Sequence, residues 1–259
     1  MRGCGGRLTS VVAGLAILVV FSAKANAATI IDLGSNDFGS ANGALYEWTA
    51  AQPTGTGVID SFVRIQANGT EQGYNHSLGG QVPWDTKSGL FTHDIQYEDL
   101  VTRTVLGIDY YEFLLDINEA ASEDKRWLSL DNVQIFTRSS PITSADESLD
   151  DLGTLRFNSD SGGDVTVNLD YSRNHGSGSG DMFLLVPVSL FAGTLPSDYV
   201  YFYSAFGGMN ASDAGFEEWA LRQSQPLNSE PIPEPGSMIL LGSGLLYAAR
   251  RFRTRPQVP

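Results

Sequence analysis

The chain has 259 residues, 42% of them hydrophobic, with 30 acidic against 16 basic side chains and a formal net charge of −14. A surface this acidic repels nucleic acid and anionic lipid and favours cations, which excludes a nucleic-acid-binding role. A single cysteine excludes an internal disulfide, so stability has to come from the core.

The N-terminus reads as a secretory signal over residues 1–27. Arg2 and Arg7 form a basic region, and Val11 to Phe21 an unbroken apolar run. That run is about eleven residues long, short of the roughly 20 a spanning helix needs. Ala25-Asn26-Ala27 then puts small residues at the −3 and −1 positions of a signal-peptidase site, so cleavage is expected after Ala27. Cys4 precedes the apolar run, which is not the place of a lipid-bearing cysteine, and it leaves with the signal. From residue 28 to residue 230 there remain nine Lys and Arg against 29 Asp and Glu, a formal charge of −20.

The body, residues 28–222, predicts strand after strand. Ile30–Leu33 and Val58–Ile65 are the first candidates. Tyr111, Phe113, Leu115 and Ile117 make an apolar face, opposed by Tyr110, Glu112, Asp116 and Asn118 as a wet one. In Trp127–Phe136 the apolar residues sit at even positions (Leu128, Leu130) and then at odd ones (Val133, Ile135), a phase slip that predicts a β-bulge at Asp131-Asn132. Val165–Tyr171 alternates apolar and polar, whereas Met182–Val188 and Val200–Phe206 are continuously apolar and suit central strands. Ser159–Asp164 and Asn174–Asp181 supply turn chemistry between them. No long 3.6-residue period interrupts the pattern. The expected fold is all-β, a single β-sandwich of jelly-roll type.

Two acidic segments invite a functional reading. Asp116, Asn118, Glu119 and Asp131 lie at the ends of adjacent predicted strands, where hard oxygens can gather around Ca²⁺, which takes six to eight of them; equally, they can solvate a hairpin loop. Glu217 and Glu218 are neighbours on a predicted strand and point to opposite faces, so they cannot easily flank one glycosidic bond, while Asp213 with Glu217 could join a cation site that nothing in the sequence demands. His76, His93 and His175 lack metal-site spacing. The stretch Gly176-Ser177-Gly178-Ser179-Gly180 has glycine where a nucleophile elbow needs serine, and no P-loop lysine follows it. No catalytic residue is assigned, and the chain is expected not to be an enzyme. Tyr199, Tyr201 and Tyr203 share one strand face, and Trp48 and Trp84 fall in polar surroundings; such rings either stack on sugars or pack in the core.

The last part of the chain is an address in three pieces. A polar, proline-rich linker spans 223–235 and ends in Pro233-Glu234-Pro235, which proline's fixed φ and missing N–H keep extended. An apolar run follows over 236–249, about 14 residues, which at roughly 1.5 Å each covers only about 21 Å of a bilayer core near 30 Å. Arg250, Arg251 and Arg253 then form a basic stop that resists translocation, within a tail over 250–259 expected in the cytoplasm. A span that short suits a transient anchor better than a permanent one.

These three pieces resemble the PEP-CTERM sorting signal of Gram-negative bacteria: Pro233-Glu234-Pro235 its tripeptide, 236–249 its transmembrane segment, Arg250–Arg255 its basic tail. The resemblance implies an inner-membrane precursor that a membrane-embedded exosortase recognises and cleaves during export, and a destination at the cell surface or in an exopolysaccharide or biofilm matrix. The sequons at Asn68, Asn75 and Asn210 are then coincidental. A sortase signal is not present, since Leu195-Pro196-Ser197-Asp198 departs at its fourth position. The expected role is structural or adhesive, with exopolysaccharide as partner. A Ca²⁺-assisted, lectin-like module and a secreted polysaccharide-active enzyme are the alternatives.

Overall fold

The computed structural model describes residues 28–49, 59–174, 180–213 and 215–222, without the side chains of 59 and 60. Outside them lie the expected signal with Ala25 and Ala27, Val58, His175, and everything from the linker through Pro233-Glu234-Pro235 and the apolar run to Arg250, Arg251 and Arg253. Among the described residues no helix is long and apolar enough to cross a membrane, and helical residues occur only in short 3-10 turns such as Val188–Phe191.

The strands in chain order are β1 (Thr29–Asp32), β2 (Phe38–Ala41), β3 (Ala44–Trp48), β4 (Ile59–Ile65), β5 (Asn68–Gly69), β6 (Glu71–Tyr74), β7 (Ile95–Gln96) and β8 (Thr102–Val105). They continue with β9 (Ile108–Asp116), β10 (Trp127–Arg138), β11 (Thr154–Asn158), β12 (Val165–Asp170), β13 (Met182–Pro187), β14 (Tyr199–Phe206), β15 (Ser212–Asp213) and β16 (Glu217–Arg222). One seven-stranded sheet runs β1-β12-β10-β14-β6, with β11 on β10 and β7 on β14. The second runs β2-β3-β13-β9-β16-β4, with β8 on β9, and β5 pairs with β15 in a small sheet of its own.

Four antiparallel pairs nest inside one another: β10 with β12, β9 with β13, β6 with β14, and β4 with β16. Successive shells fall alternately in the first and second sheet, as if one long hairpin had been rolled up. β2 and β3 widen the second sheet beyond β13, and β1 adds to β12 in parallel.

The two sheets share one apolar core, because strands present alternate residues to it. Phe113 and Leu115 of β9, Leu128, Leu130, Val133 and Ile135 of β10, Leu184 of β13, Phe202 of β14 and Trp219 of β16 all belong to it. Phe202 and Trp219 pack with ring centroids 4.6 Å apart, and Trp219 Nε1 donates to Ser204 Oγ at 3.0 Å. Burial of each such side chain contributes about 1.5–3 kcal/mol.

The phase slip in β10 is realised as the expected bulge. Leu130 lies opposite Phe206 and Asn132 opposite Ala205, so Asp131 is the extra residue on its strand. Both apolar pairs therefore stay in the core despite their opposite parity.

One expectation about β9 does not hold. Its supposed wet face is covered: Tyr110 and Leu114 pack with Phe183 and Leu185 in a second cluster, and Glu112 and Asp116 are buried. The cover is partly made of long charged side chains. Arg103 and Arg222 lie over the Phe183 ring at 5.3 and 5.5 Å and reach Glu112 at 3.1 and 3.4 Å. Burial raises the Glu112 carboxyl pKa, while Arg222 and Arg103 pull it back.

Candidate functional site

Charged chemistry collects at the end of the molecule where β9 finishes and β6 and β16 begin. Glu71 opens β6 and Glu217 opens β16. Glu119 follows β9, and Asp213 comes from β15. Glu217 is wholly buried, and Glu71 and Glu119 are 2% and 4% exposed. The period of two in β16 puts Glu217 and Trp219 inward, while Glu218 turns outward to an ion pair with Arg64.

Each acid is held by local main-chain contacts. Glu71 Oε2 accepts from the Ala67 N–H at 2.6 Å. Glu119 Oε2 accepts from the Asp213 N–H at 2.9 Å, and Asp213 Oδ2 accepts from the Ala120 N–H at 3.1 Å, so the two segments clip each other. Glu71 and Glu217 lie near enough to act on each other's ionisation. Among the described residues, no donor reaches either Glu217 oxygen, Oε1 of Glu71 or Oε1 of Glu119 at full hydrogen-bond geometry, although the Asn118 N–H lies near enough to Glu217 to favour its ionised form.

All three glutamates are harder to ionise than usual, and burial is the main cause. Glu119 is pushed up to about 8 by burial and then by Asp213. Glu217 rises well above the carboxylate range through burial, then Glu71 and Glu119, while the nearby Asn118 N–H acts the other way. Glu71 rises through burial, offset by Glu217, the Ala67 N–H and Lys87. A further buried acid, Asp181, accepts from the Ile117 N–H at 2.9 Å and is raised by burial and by Asp116.

The residues read from sequence as a Ca²⁺ set go to different places. Asp116 is buried at the end of β9 beside Asp181. Asn118 Oδ1 accepts from the Tyr171 hydroxyl at 3.3 Å. Asp131, on the bulge, accepts from the Gly208 N–H at 2.5 Å and helps hold the turn after β14. Of the four, Glu119 is the one that joins the carboxyl cluster. Glu71 carries no signal in the sequence, whereas Glu217, weighed there only with Glu218, is visible as an acid at an inward position of the apolar strand Glu217-Glu218-Trp219. Among the described residues, no three His, Cys, Asp or Glu side chains converge tightly enough to hold a metal ion.

The aromatic row has a packing role. Tyr201 and Tyr203 are buried with Tyr74, Phe136, Ile142 and Leu152 in a cluster on the outer side of the first sheet. The Ile142 N–H donates to the Tyr201 hydroxyl at 2.9 Å, and the Tyr74 hydroxyl to the Asp146 carbonyl at 2.9 Å. Trp84 packs edge-on to Tyr74 and Tyr203, and the Arg173 guanidinium lies 4.1 Å above the Trp48 ring. Asn75 is fully buried, which removes it as a modification acceptor.

Residues 231–253 match the family model of the PEP-CTERM protein-sorting motif. No curated protein and no solved structure matches the chain.

Proposed function

We propose that this chain, whose PEP-CTERM motif implies exosortase processing and export to the cell envelope or surface, serves there as a non-enzymatic structural or adhesive protein. The motif at 231–253 is the observation that carries the reading. Before processing, the apolar run 236–249 holds the precursor in the inner membrane, and the signal over 1–27 starts its export. The nested strand pairs support a jelly-roll body. Its acidic surface and lack of cysteine after signal removal suit a matrix rich in neutral or cation-bridged exopolysaccharide, as in biofilm.

A non-enzymatic role is supported by what the acids do. Glu218 is spent on Arg64, Asp131 on the turn after β14, and Glu119 with Asp213 on a clip between segments. A Ca²⁺-assisted carbohydrate-binding module is the second reading, which the acidic charge of the body, attractive to cations, supports. A sugar-binding face would then lie elsewhere than on Tyr201 and Tyr203, which are covered.

Mass spectrometry of the mature protein from its native host tests the main reading. Peptides ending near Pro235, with none covering residues 240–255, are the expected result. An intact C-terminal tail in the mature protein overturns exosortase processing.

A further inference from the structure

The β8–β9 hairpin ends in a turn that its own packing does not explain. Val105 pairs with Ile108, so Leu106 and Gly107 form a two-residue loop. Their φ angles are +50° and +82°, the type I′ pattern that asparagine and glycine ordinarily fill. Leu106 takes up this left-handed backbone and is 99% exposed, and Ile108 beside it is more than half exposed. A leucine there serves neither the turn nor the core.

β8 is also an open edge. In a two-residue hairpin the closing pair exchanges both main-chain bonds, so bonding to β9 falls on Val105 and then Arg103. It continues in the same phase where the Glu112 N–H donates to the Val101 carbonyl at 3.0 Å. The main-chain groups of Thr102 and Thr104 therefore point away from β9. Both residues are exposed, and among the described residues β8 pairs with β9 alone. Proline, lysine or a bulge usually guards such an edge. β8 has none of them, and Arg103 is held by Glu47 and Glu112 of its own chain. Beside the start of the strand lies a groove of about 670 Å³ with Ile95, Leu100, Val101 and Leu221 in its lining.

We infer that β8 is the docking edge for a second copy of this chain, the two β8 strands pairing antiparallel about a two-fold axis at Arg103. The open groups set the register. Only when each Thr102 bonds Thr104 of the other copy are all of the outward main-chain groups used. Carried two residues further, that register sets Leu106 of each copy against Leu100 of the other, on the apolar lining of the groove. One arrangement thus completes the edge and covers the exposed leucine, which favours self-pairing over an unrelated strand. Arg103 of each copy reaches the axis with its charge already met by Glu47 and Glu112. The contact belongs to the weak class, under about 1,200 Å². It gives a structural protein a means of joining copies, and it depends neither on processing of the C-terminal motif nor on a polysaccharide.

The test follows the full chain in detergent by sedimentation over a range of concentrations, at about 0.15 M salt, where like charges are screened beyond about 8 Å. A concentration-dependent dimer is expected, with slower hydrogen exchange in the peptide carrying Thr102 and Thr104 as it forms. Leu106→Asn suits the turn and removes the apolar contact, so it should keep the Tm and weaken the dimer at least about ten-fold. Thr104→Pro removes an N–H that the monomer does not use and should abolish the dimer. A monomer at every concentration overturns the inference and leaves the hairpin to lipid or to a different protein. A dimer of unchanged strength in both folded variants also overturns it, placing the contact elsewhere, as on the apolar run 236–249.

Discussion

Asn75 completes a strand edge for Phe202. Along β14, β6 pairs with residues 203–206 and β7 with residues 199–200, leaving a gap between them. The Asn75 side chain fills it: Oδ1 accepts from the Phe202 N–H at 2.6 Å, and Nδ2 donates to the Val200 carbonyl at 3.0 Å. Nδ2 also reaches the His93 carbonyl at 3.2 Å. One amide thus stands in for a missing residue of ladder.

Replacing Asn75 with Ala leaves buried backbone groups without partners, each costing about 1–3 kcal/mol. A loss of about 2–4 kcal/mol is expected for Asn75→Ala, seen as a lower urea midpoint at unchanged slope. A loss below about 0.5 kcal/mol would show that the edge is redundant.

His76, next in sequence, sets a pH dependence. It is buried against the edge of Tyr74, its Nδ1 accepts from the Leu78 N–H at 3.2 Å, and Nε2 has no partner among the described residues. Burial lowers its pKa from the ordinary 6.5. The unfolded chain therefore takes up a proton that the folded chain resists, and stability falls as pH drops below 6.5 towards the folded-state pKa. Denaturation at pH values from about 5 to about 8 should show a shallower acid-side decline in His76→Asn than in the wild type. Parallel profiles would refute the assignment.

Gly215 controls how close β16 starts to the end of β9. A Cβ at this position would lie 1.4 Å from the Asn118 carbonyl oxygen, so one backbone segment has to shift to admit it. Gly215→Ala should cost about 1–3 kcal/mol and reduce hydrogen-exchange protection in β16. Unchanged protection would mean that the two segments part freely.

Trp219 ties the sheets together on the core side of the same strand, through Phe202 and the Ser204 hydroxyl. Trp219→Ala removes both contacts and opens a cavity, with an expected loss of about 3–5 kcal/mol. Trp219→Phe keeps most of the packing but strands the Ser204 hydroxyl, and should fall between that variant and the wild type in thermal unfolding. Equal stability of Trp219→Phe and wild type would show that the hydrogen bond contributes nothing.

Some features were legible because their signals are local. The bulge at Asp131 could be read from Leu128, Leu130, Val133 and Ile135, since a period of two changes parity only if one residue is added. The strands at 165–170, 182–187 and 199–206 were legible for the same reason. Glu112 was misread as wet because its partners, Arg103 on β8 and Arg222 on β16, reach it only through strand pairing. The Ca²⁺ set drawn from Asp116, Asn118, Glu119 and Asp131 used nearness in sequence, which is a poor guide where the chain alternates between two layers.

By itself, the amino-acid sequence determined the all-β character of the body and the sorting motif at 231–253. Both are written in runs of neighbouring residues: alternation follows from the pleat, and a processing signal is recognised as an extended segment. Only the tertiary structure decided which acids meet. Glu71 and Glu217 come together because the β6·β14 and β4·β16 pairs nest one outside the other and bring the first residues of β6 and β16 to the same end of the core. That meeting depends on closing the whole roll, and no local pattern in either segment encodes it.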